Sequence, residues 1–192
     1  MKLIGLCGLI GSGKNTVADH LMEEHDFISV SFAETLKDAA ACIFGWDRDM
    51  LEGATPEARA ARELKDEWWS ERLGFDVSPR YMLQYMGTEV MRNNLHPDIW
   101  TLSAEKLIKE NPWEQYVFTD VRFPNEAAMI RRIGGKVWHV RRGKLPEWFG
   151  QNPEHIHASE TAWNNETFDA TIYNDGTIED LKTTIDNLLE AW

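Results

Sequence analysis

Gly8-Leu9-Ile10-Gly11-Ser12-Gly13-Lys14-Asn15-Thr16 is the stretch on which the fold turns. It holds the G-x-x-x-x-G-K core of a phosphate-binding loop. Glycines let the backbone curl until several N–H groups face one anion, and a helix starting there adds its positive end. The flanks suit this reading. Lys2 to Cys7 is an apolar run that predicts a first strand. Lys14 to about Glu24 predicts a helix, with Val17, Ala18, Leu21 and Met22 on one face. Gly11, Ser12, Gly13, Lys14, Asn15 and Thr16 are therefore candidate nucleotide-phosphate contacts, with Lys14 reaching the β- and γ-phosphates. The strict motif places Ser or Thr directly after the lysine to serve Mg²⁺. Asn15 stands there instead, and its role is left open.

Outward from the loop, strands and helices alternate. Phe27 to Phe32 predicts strand two, and Glu34 to Phe44 a helix stopped by Gly45. Trp46 to Pro79 is polar, bears tryptophans and is helical around Pro56 to Arg72. Arg80 to Asn93 and Asp98 to Lys109 predict two more helices. Tyr116 to Thr119 is a short buried strand, Asn125 to Ile133 a helix closed by Gly134-Gly135, and Val137 to Val140 another strand. Arg142 to Glu160 lacks periodicity, as a lid would. Ala170 to Tyr173, a turn at Asn174-Asp175-Gly176 and a helix from Ile178 to Leu189 close the pattern. Such alternation means an α/β domain with a mainly parallel sheet.

The composition narrows the partners. The 192 residues carry a formal charge of −12, with 43% hydrophobic and 27% charged residues. That length suits one domain, and the balance is globular. An acidic chain lacks the broad basic face needed to coat a nucleic acid polymer, but a local basic pocket still admits a small anion. Cys7 and Cys42 are too few for a disulfide framework and read as reduced thiols. No apolar stretch is long enough to span a membrane. Leu3 to Ile10 imitates a short signal core, yet Gly11-Ser12-Gly13-Lys14 follows at once, so a cytoplasmic protein is expected.

The basic residues cluster. From Asp120 to Leu145 there are seven (Arg122, Arg131, Arg132, Lys136, Arg141, Arg142 and Lys144) against Asp120 and Glu126. Transfer of a phosphoryl group relies on positioning and charge neutralisation, which such a cluster supplies. Neither the Asp-x-x-Gly nor the Asn-Lys-x-Asp of a GTPase occurs, and the strand at Tyr116 ends in Asp120-Val121-Arg122 instead of Asp-Glu. Asp120, at a strand end, is placed to act on Mg²⁺ or an attacking group. Arg122 can grip a phosphate bidentately. Arg131 and Arg132, in mid-helix, are expected to be solvated. Arg141 and Arg142 open the lid segment, and at least one is expected to hold the transferring phosphate. His155 and His157 have no further ligand spaced near them and are not read as a metal site.

The chain resembles the bacteriophage deoxynucleoside monophosphate kinases of the adenylate-kinase-like P-loop superfamily. The likeness lies in Lys2-Leu3-Ile4 with the loop, Phe32 to Ala39, Arg80 to Glu89, Asn93-Asn94 and Trp100. It continues through Asp120 to Glu126, His139 to Arg142, His157 to Glu160 and Asn174-Asp175-Gly176. It implies a P-loop NTPase three-layer sandwich over residues 1–192, with a central parallel sheet, a helical acceptor-binding insertion at about 46–110 and a lid at about 142–160. It implies γ-phosphoryl transfer from ATP, with Mg²⁺, to a (deoxy)nucleoside 5′-monophosphate. Thr16 takes the hydroxyl role, as in the Gly-Lys-x-Thr form of that superfamily, and shares the metal with Asp120. Lys14, Asp120, Arg122 and Arg142 are the implied catalytic group, and Arg141 with Asn174, Asp175 and Gly176 would serve the ATP side. Lys37, Arg80, Gln84, Thr88 and Arg122 would face the acceptor. The family often has Asp where Asn15 stands, and Trp46 to Arg72 matches it poorly and is expected to help choose the base.

Plainer roles stay open for several of these. Lys37 suits an exposed helix face, Arg80 the start of a helix, Gln84 a half-buried helix position, and Asn174-Asp175-Gly176 any tight turn. Two other readings also remain: a related kinase acting on dephospho-coenzyme A or phosphomevalonate, and a non-catalytic nucleotide-binding module. A homodimer is an arrangement the resemblance allows, and a host cytoplasm is implied for a viral protein.

Overall fold

The computed structural model describes residues 1–144, 163 and 167–192. Five parallel strands form one sheet: β1 (Leu3–Cys7), β2 (Phe27–Val30), β3 (Gln115–Phe118), β4 (Lys136–Arg141) and β5 (Ala170–Tyr173), in the order β2-β3-β1-β4-β5. β1 is buried at every position because it lies centrally, with strands on both sides and helices on both faces. Hence its sequence is a continuous apolar run and not an alternating one.

The two faces of β1 serve different helices. Ile4 and Leu6 join Val17, Ala18 and Leu21 of α1 (Lys14–His25) and Leu181, Ile185 and Leu189 of α9 (Ile178–Glu190) in the main core, with Trp138 and Val140 of β4. On the other face Gly5 makes room: a Cβ there would come within 2.5 Å of Ile130 in α8 (Pro124–Arg132). Met22, expected on the apolar face of α1, is exposed, and His20 is buried in its stead. The arc of α1 that meets α9 is rotated towards His20.

The chain divides into two compact units, Met1–Ser31 with Ala104–Trp192 and, separately, Phe32–Ser103. The second unit is entirely helical. It holds α2 (Glu34–Phe44), α3 (Arg48–Glu52), α4 (Pro56–Glu63), α5 (Glu67–Leu73), α6 (Pro79–Tyr85), a π-helical segment Met86–Asn93, and the start of α7 (Ile99–Glu110). Asp47, Thr55, Asp66 and Ser78 each cap a helix by accepting an N–H three residues on, so four short helices are cut from one polar stretch. Strand two is shorter than expected. It ends at Val30, and Phe32 belongs to the helical unit. The single helix expected over Arg80 to Asn93 changes to π winding at Met86. There the Gly87 carbonyl accepts from the buried Trp100 indole N–H at 3.0 Å.

Candidate active site

Because all five strands run parallel, their carboxyl ends share one edge of the sheet, where ligands meet α/β folds. The loop from Gly8 follows β1, Asp120 follows β3, Arg141 ends β4 and Arg142 follows it, and Asn174 follows β5. β1 is flanked by both β3 and β4, so these ends converge beside the loop.

The loop is held tightly. Gly8 has φ 146°, and a Cβ there would lie 2.3 Å from the Val140 carbonyl oxygen. Gly13 has φ 101°, and a Cβ would lie 2.2 Å from Asn174 Nδ2. Neither position tolerates a side chain. The Asn174 amide donates to Ser12 O at 3.0 Å, bracing the loop from β5. Lys14 Nζ lies over the loop and donates to Gly8 O at 2.7 Å and Leu9 O at 2.9 Å. Ser12 is only 4% exposed, yet its Oγ has no hydrogen-bond partner among the described residues. An orphaned hydroxyl beside a curled loop at a helix start is chemistry that an anion completes. Asn15 is exposed and Thr16 half-buried.

Asp120 accepts a hydrogen bond from Ser31 Oγ at 2.7 Å, which orients its carboxylate. β2 and β3 pair in register up to Val30 and Phe118, and that pairing places Ser31 beside the end of β3. Arg122 is exposed, and its backbone is pinned. Glu126, 2% exposed, accepts from Arg122 N at 2.8 Å and Phe123 N at 3.0 Å. Arg141 lies over the Tyr173 ring at 5.8 Å and its Nε is buried without a partner among the described residues, while Arg142 is exposed. Asp175 Oδ1 accepts from Gly143 N at 2.5 Å, tying the start of the next segment to the β5 end, and Gly176 abuts Asp180.

Arg131 and Arg132 are not simply solvated. Arg131 bonds Asp169 and the Thr167 carbonyl oxygen, and Arg132 pairs with Glu105 at 2.7 Å. They stand in the last turn of α8 and not in mid-helix, and both are tied to neighbours; Arg122, Arg141 and Arg142 are the arginines of the cluster near the strand ends. His139 pairs in register with Cys7 and stacks on Phe168 at 4.5 Å. Burial, then the charges of Arg141 and Lys14, push its imidazole down to about 4. The ring is therefore neutral at pH 7. The expected lid, beyond Lys144, lies outside the described residues, as do His155 and His157.

In the helical unit, Lys37 is 12% exposed and pairs with Glu52 at 2.7 Å. Arg48 bridges Glu52 and Asp38 at 2.8 and 2.6 Å. Burial pushes the Glu52 carboxyl up, but hydrogen bonds from Lys37 and Arg48 outweigh it and hold the group below its ordinary value. Arg80 and Gln84 are exposed, one helical turn apart, and Arg80 lies 3.9 Å from Glu63. Thr88, half-buried, falls in the π-helical segment, so it leaves the strict stripe that an α-helix would give the three.

A sequence model described as deoxynucleotide monophosphate kinase matches residues 54–185. The chain belongs to the deoxynucleotide monophosphate kinase family. A protein of Acanthamoeba polyphaga mimivirus is 34% identical over 96% of this chain and 94% of its own length. The deoxynucleoside-5′-monophosphate kinase of Escherichia phage T5 is 46% identical over 67% of this chain and 71% of its own. Among solved structures, a dephospho-CoA kinase from Campylobacter jejuni superposes with a TM-score of 0.52 at 16% identity, covering 99% of this chain and 96% of that one. At that identity the likeness is one of fold, a P-loop kinase fold with a central parallel sheet.

Against this kinase frame, four residues emerge that sequence reading passed over. Ser31 and Glu126 act on Asp120 and Arg122 through the contacts above. His139 adds a neutral ring beside two cations. Arg62 donates to Leu51 O at 3.2 Å, and its Nε is buried without a partner among the described residues. Burial and the charge of Arg80 push its guanidinium below its ordinary value. Only Glu126 had a local signal: it stands three residues after Phe123, with Pro124 opening the helix.

Proposed function

We propose that this kinase transfers the γ-phosphoryl group of ATP to the 5′-phosphate of a (deoxy)nucleoside monophosphate, giving the diphosphate and ADP. The observation that carries the reading is the buried Ser12 hydroxyl, without a partner among the described residues, in a glycine loop that Asn174 and Lys14 hold at the start of α1. Gly11, Ser12, Gly13, Lys14, Asn15 and Thr16 cradle the β- and γ-phosphates. Lys14 leaves the loop carbonyls to bridge them. Thr16 and Asp120, hydroxyl and carboxylate oxygens, suit a hard cation, and Mg²⁺ bound there would neutralise phosphate charge. Arg141, with Asn174, Asp175 and Gly176, completes the ATP side.

Lys37, Arg80, Gln84 and Thr88 of the helical unit hold the acceptor, and Arg62 joins them, since an anion would give its buried Nε an acceptor. Glu52 holds Lys37 until the acceptor phosphate replaces it. An oxygen of the acceptor phosphate attacks the γ-phosphorus as the bond to the β,γ-bridging oxygen breaks. That oxygen is already anionic near neutral pH, so no general base is required. Arg122 and Arg142 neutralise charge on the group in transfer, and the segment at about 142–160 closes over it to exclude water. Residues 1–192 act as one kinase domain, with about 46–110 as its acceptor-binding part. The partners are small nucleotides, and the setting is the cytoplasm, that of the host for a viral enzyme. Among the described residues no helix is long and apolar enough to cross a membrane.

The test is ADP release from Mg·ATP across the four common dNMPs, the matching NMPs and dephospho-coenzyme A. Turnover with one or more nucleoside monophosphates is expected, and Lys14→Ala should lower it by roughly two orders of magnitude or more at unchanged Tm. Turnover with dephospho-coenzyme A alone, or near-normal rates in Lys14→Ala, would overturn the reading.

A further inference from the structure

We propose that His20, His25 and Asp186 form a site for a nitrogen-preferring divalent metal of the zinc class, joining α1 to α9. The two Nε2 atoms each lie 2.8 Å from the same carboxylate oxygen, Asp186 Oδ1. The ligand atoms of all three residues fall within 4.8 Å of one another. Five residues apart on α1, the two histidines would not pair through helix spacing alone. Asp186, brought up by α9, is the point on which both converge. Leu21, Ile185 and Leu189 are buried on these two helices, so one side of the cluster is dry. His25 and Asp186 are 29% and 46% exposed, which leaves a side open for metal entry and for a water as fourth ligand.

The donor set decides which ion fits. Two imidazole nitrogens and one carboxylate suit zinc, nickel or cobalt, whereas Mg²⁺ takes oxygen ligands. The cluster is therefore distinct from the nucleotide metal of Thr16 and Asp120. His20 also lies six residues beyond Lys14, about 9 Å along the helix axis. Tetrahedral zinc with bonds of about 2.0–2.1 Å sets its ligands roughly 3.3 Å apart, so each histidine–Asp186 edge, 2.8 Å here, opens by about half an ångström on binding. Each histidine loses its Nε2 proton to the ring's other nitrogen or to solvent as the lone pair turns to the metal. His20 Nδ1 is buried without a partner among the described residues, so the proton it then carries has no acceptor among them. That cost lowers the affinity below that of a dedicated structural zinc site, whose histidines hand their other ring proton to a partner.

The role expected is a clamp. The metal fastens the helix that carries the phosphate loop to the last helix and raises stability without touching chemistry. The test uses the full chain, stripped with a chelator and titrated with Co²⁺, a zinc analogue with a visible absorption band. One equivalent should bind, be displaced by Zn²⁺, and raise Tm by a few degrees. His25→Ala and Asp186→Asn, both at accessible positions, should each weaken Co²⁺ binding at least about tenfold and abolish the Tm rise, with Mg·ATP turnover unchanged. Absence of a band and of a Tm shift at millimolar Co²⁺ would overturn the proposal, leaving a hydrogen-bonded clamp only. So would undiminished binding in both variants, which would place the metal elsewhere.

Discussion

At the scale of single residues, the phosphate loop is shaped by what does not fit. Gly13 has φ 101°, which L side chains rarely adopt, and a Cβ there would displace the Asn174 amide that braces the loop. Ser12 is buried with its hydroxyl unsatisfied among the described residues, a small cost that the phosphate we propose there would remove. His139 shows how charge is managed beside it. Its imidazole is held at about 4 against an ordinary 6.5, first by burial and then by Arg141 and Lys14. The folded-state value is depressed, so the unfolded chain binds the extra proton first. Its contribution to stability is present above about pH 6.5 and is lost as the pH falls towards 4. Wild-type Tm should therefore drop more steeply between pH 7 and 5 than that of His139→Gln, measured side by side by thermal melting. Equal slopes would show that His139 carries no linked proton in this range.

At the scale of elements, the π-helical segment Met86–Asn93 is where local propensity yields to a neighbour. Read alone, Arg80 to Asn93 has ordinary helical spacing. In the fold, Gly87 lies against Leu36, and its carbonyl oxygen bonds the buried Trp100 indole. Widened winding at such a point is common at functional positions. Trp100→Phe keeps the ring packing but leaves that carbonyl buried and unpaired. The variant should lose about 1–3 kcal/mol of stability in urea unfolding. Its KM for the acceptor should rise several-fold while that for ATP stays put, since Thr88 lies in the same segment. A change in the KM for ATP alone would contradict this assignment.

At the scale of the whole molecule, the function we propose divides between the two units. The sheet unit carries the phosphate loop and the strand-end residues, and the helical unit carries Lys37, Arg62, Arg80 and Gln84. Arg62→Ala and Lys37→Ala should raise the KM for the acceptor about tenfold or more with little effect on ATP. Ser12→Ala should do the reverse. Steady-state kinetics with one substrate varied at a time separates the two, and a mixed pattern would argue against this division.

What the sequence alone determined follows from short range. The phosphate loop, its glycines, the strand before it and the helix after it are dictated by residues within a few positions of one another. So is the alternation that makes the sheet parallel, and so are the boundaries set by caps and glycines. Family motifs such as Asp120-Val121-Arg122 were legible for the same reason. The tertiary structure decided the rest, because strand order and helix packing join residues that no spacing relates. Asn174 reaches Ser12 across 162 positions, and His20 meets Asp186 across 166. Ser31 reaches Asp120 only because β2 pairs with β3. Arg131 and Arg132 left the basic cluster once Asp169 and Glu105 came beside them. Local chemistry writes the loop and the elements, but the free energy of packing apolar faces together chooses which distant side chains end up sharing a site.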